Sequence, residues 1–264
     1  MVAGKGFSIH KKRAAHMLID THCHIDQFPS PEDVIRECQT SGLRVVAVTN
    51  LPSHFAVAAD RLRKHPLVSP ALGIHPLSAS EGIRELAAFK RMAPHANFIG
   101  EIGLDFSRQG EASKSIQERV FEEVLRAIQD RPRFITLHSR GAEGAVLEGL
   151  RRHGIKAAVF HWFSGPAKVL DNVFADGHFV SINPAMLASA SGQRIIAQSP
   201  RERVLVESDG PFTKVKGNIC KPADVALVYK SLAARWNLSM EEVIYTVKVN
   251  FERIVGALHS SSPS

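Results

Sequence analysis

With 264 residues, 44% hydrophobic and 22% charged, the chain is long enough to bury a full core and too apolar for a disordered polymer. No uncharged apolar run approaches the roughly 18 residues that cross a bilayer. Three cysteines, Cys23, Cys38 and Cys220, lack finger-like spacing, which argues against a disulfide scaffold and fits a reducing cytoplasm. A formal charge of +7, from 33 basic and 26 acidic residues, suits phosphate-rich partners.

In chain order, residues 1–16 carry Lys5, Lys11, Lys12 and Arg13 but no apolar stretch. They make a poor secretory signal and are expected to be a disordered extension or a cloning scar. A single domain is expected from Met17 to Leu258, followed by a disordered serine-rich tail over 259–264. Eight apolar, β-branched runs read as strands: Leu18–Thr21, Arg44–Asn50, Leu67–His75, Phe98–Asp105, Phe134–His138, Ala157–Phe163, Phe179–Asn183 and Val204–Asp209. Most are nearly continuous, as strands buried on both faces are. Helical patterns lie between them. Ser30-Pro-Glu-Asp33 gives a cap, a first-turn proline and acids, and Gly42 ends that helix. Ile116, Val120, Val124 and Ile128 are spaced by four. Ser239 and Glu242 form a capping box. Between Ala185 and Arg203 only a short helix around Arg194–Gln198 is expected.

Strands therefore recur every 20 to 36 positions or so, one strand–helix unit each. Eight such units close into a (β/α)8 TIM-like barrel, an α/β fold. A doubly wound open sheet is the alternative; His-Cys-His stands where its glycine-rich turn would follow the first strand.

In such a barrel the C-terminal ends of the strands share one mouth, where chemistry resides. Those ends carry His22 and His24, His75, Glu101, His138 with Arg140, His161, and Asp209. His22 and His24 are two apart on a strand, so both face one side. Buried acids and imidazoles at strand ends are costly unless paired or metal-bound. Any one of them reads as a hydrogen-bonded plug; four histidines and two carboxylates converging from five strands read as metal ligands. Mixed nitrogen and oxygen donors suit Zn²⁺, Mn²⁺ or similar ions better than Ca²⁺, and ligand type by itself does not choose among Mg²⁺, Mn²⁺ and Zn²⁺. Six ligands exceed one tetrahedral site, so two divalent ions bridged by Glu101 are expected, with Asp209 as ligand and base. Such a pair serves phosphodiester hydrolysis. His10, His16, His65, His95, His153, His178 and His259 lie away from these ends and read as surface or loop residues.

The runs Asp20-Thr-His-Cys-His-Ile-Asp26, Gly73-Ile-His-Pro76, Ile99-Gly-Glu-Ile-Gly-Leu-Asp105, His138-Ser-Arg140, His161-Trp-Phe-Ser-Gly165 and Glu207-Ser-Asp-Gly-Pro-Phe212 resemble the TatD family of metal-dependent deoxyribonucleases, in order from Met17 to about Gly256. The resemblance implies an amidohydrolase-like barrel and a metal-dependent DNase, a 3′–5′ exonuclease on single-stranded or frayed ends. It implies His22, His24, Glu101, His138, His161 and Asp209 as metal ligands, His75 and Arg140 beside the scissile phosphate, and a structural role for Asn250. Trp162 replaces a common cysteine, and Gly210 a common alanine. With Ala71-Leu-Gly-Ile-His-Pro76 and Ser181-Ile-Asn-Pro-Ala-Met-Leu187, Trp162 makes the chain similar to the TatD-type nuclease of bacterial Qat anti-phage operons. That implies partners from a defence operon. Trp162 and Phe163 are candidates for stacking on a base, with packing favoured for Phe163.

Two other readings compete. Related barrels hydrolyse small esters and amides, many with a carboxylated lysine on strand four, where this chain has Glu101. A partner-dependent or purely binding subunit of a defence complex is the other.

Overall fold

The structure, a computed structural model, describes residues 17–259; the expectations for residues 1–16 and 260–264 lie outside them. The strands are β1 (Ile19–Cys23), β2 (Arg44–Val48), β3 (Val68–Ile74), β4 (Phe98–Gly103), β5 (Phe134–His138), β6 (Val159–His161), β7 (Phe179–Ile182) and β8 (Val204–Val206). They are parallel and neighbour one another in chain order. Sequential order is that of a barrel; a doubly wound sheet reverses direction at its middle. Closure comes at the strand ends. Asp209 N–H donates to His22 O at 3.0 Å and His24 N–H to Gly210 O at 2.8 Å. Thr21 Oγ1 adds a bond to Val206 O at 3.0 Å.

Helices α1 (Pro31–Ser41), α2 (Pro52–Leu62), α3 (Ala79–Met92), α4 (Lys114–Ile128), α5 (Glu143–Arg152) and α6 (Ala167–Ala175) fill the first six connections. In α4 the expected stripe is buried through Val120, Phe121, Val124, Leu125 and Ile128. Pro31 opens α1 and Gly42 closes it at φ 70°, a conformation only glycine adopts cheaply. Ser30 precedes α1 without a side-chain capping bond.

The connection after β7 holds two helices rather than one short one: α7 (Pro184–Ala188) and α8 (Ala190–Gln198). Their small residues give little apolar periodicity. They start instead from side-chain caps, Asn183 on Met186 N and Ser189 on Gly192 N. A hairpin, β9 (Lys214–Val215) with β10 (Asn218–Ile219), follows β8. Helices α9 (Val225–Trp236) and α10 (Met240–His259) end the fold. The expected capping box at the start of α10 forms, with Ser239 N–H on Glu242 and Glu242 N–H on Ser239 Oγ. Among the described residues no helix is long and apolar enough to cross a membrane.

Polar groups at the N-terminal end of the barrel are tied to main chain. Tyr229 Oη bonds both N–H and C=O of Ile19. Asn250 donates to Arg201 O and Val204 O, both at 2.8 Å, a structural position as expected. His178 departs from expectation. It is buried, and its Nδ1 accepts from Ala158 N–H at 3.2 Å. Preceding β7 at the floor rather than the mouth, it looked like a loop residue in the sequence.

Candidate metal centre

Glycines bring the strand ends together. A Cβ on Gly73 would stand 2.1 Å from Thr49 O and 2.5 Å from Glu101 N. Their absence lets the end of β2 reach past β3 to β4. Thr49 N–H bonds Gly100 O at 3.1 Å and Glu101 N–H bonds Thr49 O at 3.2 Å. Glu101 is thereby fixed inside the barrel, 1% exposed.

All eight expected site residues lie at this mouth. Glu101 sits at the centre, and its two oxygens face different imidazoles. Oε2 lies 3.1 Å from His24 Nε2 and 3.5 Å from both His22 Nε2 and His75 Nε2. Oε1 lies 2.7 Å from His138 Nδ1 and 2.8 Å from His161 Nε2. Asp209 Oδ1 stands 3.8 Å from Nε2 of His22 and of His24. Donor atoms of His22, His24 and Asp209 fall within 4.8 Å of one another, as do those of His22, Glu101 and His161. Arg140 is exposed and lines the same cavity, of about 600 Å³, together with His75, Trp162 and Phe212.

The imidazoles are held by their far nitrogens, which decides what the near ones offer. His138 Nε2 is 2.8 Å from Asp105 Oδ2, a pure acceptor. Its Nδ1 is likewise 2.7 Å from Glu101 Oε1, so both nitrogens face carboxylates; when Nδ1 gives up its proton, Asp105 keeps the other on Nε2 and Nδ1 can turn a lone pair to a cation. His75 is the reverse. Its Nδ1 accepts from Leu77 N–H at 3.1 Å, so the neutral ring carries its proton on Nε2, facing the cavity. The trio His75, Glu101 and His138 is as tight as the other two. In this tautomer, however, His75 offers the cavity a donor rather than a ligand. His22 Nδ1 bonds Thr136 Oγ1 at 2.7 Å, and His161 Nδ1 lies 3.5 Å from Glu207 Oε1.

Burial pushes His22 down to about 4 and His75 to about 3, keeping both rings neutral at pH 7. Burial opposes ionisation of Glu101, yet the rings of His75, His161 and His22 and the hydrogen bond from His138 hold it well below its usual range. Asp209 is pushed up to about 7 by burial. Against burial, Glu101 and Glu207 raise His161 well above its ordinary value, and Asp105 and Glu101 raise His138.

The donor set fits divalent cations. Among the described residues no lysine or arginine pairs with the buried Glu101 or Asp209; only imidazoles do. Buried acids without a fixed cation are costly; burial already keeps His22 neutral, and His138 and His161, raised by the carboxylates, would each release a proton on binding Zn²⁺ or Mn²⁺.

Three supporting residues escaped the sequence reading: Asp105, Glu207 and Thr136. A signal existed for one of them. Thr136 precedes His138 by two, the spacing that shares a strand face. Asp105 and Glu207 lie past the ends of β4 and β8, where no periodicity holds. Phe163, at 1% exposure, is packed as expected.

A sequence profile described as "TatD related DNase" matches residues 19–256. The chain is 27% identical over 252 residues to the metal-dependent hydrolase YabD of Bacillus subtilis, covering 90% of this chain and 98% of that one. It is 31% identical over 198 residues to the "3'-5' ssDNA/RNA exonuclease TatD" of Erwinia tasmaniensis, covering 70% and 76%. In structure it is similar to the TatD homologue YJJV of Escherichia coli, with TM-score 0.79, 22% identity and coverage of 90% and 97%.

Proposed function

The chain belongs to the family of TatD related DNases, metal-dependent hydrolases, and we propose that it removes nucleotides from the 3′ end of single-stranded or frayed DNA. The observation that carries this reading is Glu101, with one carboxylate oxygen toward His22 and His24 and the other toward His138 and His161. A bridging carboxylate between two cation sites needs that division. The ligands are assigned as His22, His24, Glu101 and Asp209 on one side and Glu101, His138 and His161 on the other.

Bound there, two divalent cations, Mg²⁺, Mn²⁺ or Zn²⁺, supply positive charge that lowers the pKa of a nucleophilic water and offsets charge on the leaving oxygen. The protein does the rest. Glu101 is held anionic by the surrounding rings, and Asp209, raised to about 7 by burial, would be anionic beside bound cations and has the proton affinity of a base at neutral pH. Asp209 Oδ1, with its nearest ring nitrogens 3.8 Å away, is free to accept the proton of the attacking water. His75 donates Nε2–H to a non-bridging phosphate oxygen. Arg140, at the rim, pairs with the phosphate as a planar fork. The net charge of +7 draws the polyanion in.

The small-ester reading lacks a specific support, since β4 offers Glu101 in place of a lysine bridge. Work within an anti-phage operon rests on the Trp162 variant motif and is tested by co-purification with operon neighbours. The central test is release of mononucleotides from a single-stranded oligonucleotide labelled at its 5′ end. A ladder shortening from the 3′ end, stopped by EDTA and restored by divalent metal, is expected. Intact DNA under those conditions would overturn the reading.

A further inference from the structure

Three aromatic side chains stand exposed among the described residues: Trp162, Phe212 and Tyr245. Two of them, Trp162 at 38% and Phe212 at 58% exposure, line the cavity that holds the histidines and acids. A large ring left in water forgoes its burial energy, so two rings at one mouth call for a reason.

Both are held in place rather than loose. Trp162 follows β6 with φ +39°, a left-handed conformation that is rare and costly for a bulky residue. Its N–H donates to the buried Glu207 Oε1 at 3.1 Å. That backbone turn sends Trp162 outward while Phe163 stays in the core. Phe212 is set by its N–H on Asp209 O at 2.9 Å. Its ring stands edge-on to His24, with centroids 4.9 Å apart and planes at 83°.

Strand order divides the mouth. His75 and Arg140 follow β3 and β5. Trp162 and Phe212 follow β6 and β8, on the opposite arc. One arc bears donors suited to phosphate, the other bears π-faces. On the aromatic arc the neighbouring polar groups are already engaged. Ser164 Oγ donates to Glu143 at 3.0 Å, and Asn183 bonds Glu207 and Met186 N–H, both at 3.0 Å. Little is left there to read the edge of a base.

We propose that Trp162 and Phe212 form a nucleobase-stacking subsite, which takes the unpaired base beside the scissile phosphate without regard to its identity. The proposal rests on the DNA-end reading above and deepens it. Stacking needs a splayed base, so paired ends are excluded and base type is tolerated.

The test uses the full chain with Trp236→Phe, which leaves Trp162 as the single tryptophan. It is titrated with single-stranded oligodeoxynucleotides in EDTA, following Trp162 emission. One strand ends in an ordinary 3′ nucleotide and the other in an abasic one. Quenching by the ordinary end is expected, with the abasic end binding about 5- to 100-fold more weakly, as the loss of one stacked base predicts. Equal or absent quenching overturns the subsite. In turnover with metal, Trp162→Ala and Phe212→Ala should each raise KM for ordinary ends with kcat little changed and reduce the preference over abasic ends. Trp162→Phe should restore it. Variants that keep the wild-type preference overturn the proposal, whatever their stability. Hydrolysis without base preference rejects the subsite alone. Base-dependent quenching without hydrolysis keeps the subsite and rejects the nuclease reading.

Discussion

The two ends of the barrel solve the same problem in opposite ways. Both bury polar side chains where apolar strands stop. At the floor each such group bonds to main chain. Arg133 donates to Ile128 O at 2.6 Å and Ala93 O at 3.3 Å, Asn250 to Arg201 O and Val204 O, and Tyr229 spans Ile19. At the mouth, imidazoles and carboxylates face one another, with Glu101 against five rings. The floor side chains therefore find partners in the chain's own carbonyls, Arg133 Nε excepted, whereas the acids Glu101 and Asp209 at the mouth face imidazoles in place of a fixed cation. In a barrel, floor residues set stability and mouth residues set chemistry.

That contrast can be broken by substitution. The largest effect belongs to the mouth. Glu101→Gln should lower DNA hydrolysis by about three orders of magnitude, roughly 4 kcal/mol in the barrier. Equilibrium dialysis should show fewer bound metal ions, while the thermal midpoint without metal shifts little. Near-normal turnover would show that the carboxylate does not bridge.

The floor should answer to pH. Burial pushes His178 from 6.5 down to about 4, so below pH 6.5 the unfolded chain takes up a proton that the folded chain refuses. Stability from this residue is whole above pH 6.5 and falls as pH drops toward 4, by at most about 3 kcal/mol. Denaturant midpoints across that range should show the decline, and His178→Asn should remove this part of it. An unchanged profile would mean that His178 titrates freely in the folded protein.

A milder floor substitution sharpens the comparison. Asn250→Ala removes two hydrogen bonds, to the carbonyls of Arg201 and Val204, and should cost about 2 kcal/mol in urea unfolding. Hydrolysis per folded molecule should stay at the wild-type rate; a deep loss there would join the two ends. The smallest effect is expected at the rim. Arg140→Ala should weaken DNA binding several-fold and reduce the slope of log affinity against log salt by about one. An unaltered slope would remove Arg140 from the phosphate.

Much of this was legible in the sequence. The eight apolar runs and their polar ends predict a barrel and its mouth, because strand burial leaves a nearly continuous apolar record. The capping box of α10 is local chemistry and reads directly. Helix α7 was missed because its start depends on Asn183, a side chain whose partner is local but whose role shows only in the fold. His178 was misplaced because a loop position near a strand start says nothing about depth.

Sequence alone determined the parallel α/β architecture and which residue types gather at the strand ends, since both follow from burial and alternation along the chain. Tertiary structure decided how Glu101 divides its two oxygens, which nitrogen of His75 and His138 faces the cavity, and that Phe212 rather than Phe163 shares the mouth with Trp162. Those outcomes depend on partners far away in sequence, such as Asp105 for His138 and Glu207 for Trp162. No local pattern records a hydrogen bond that closes only when the barrel does.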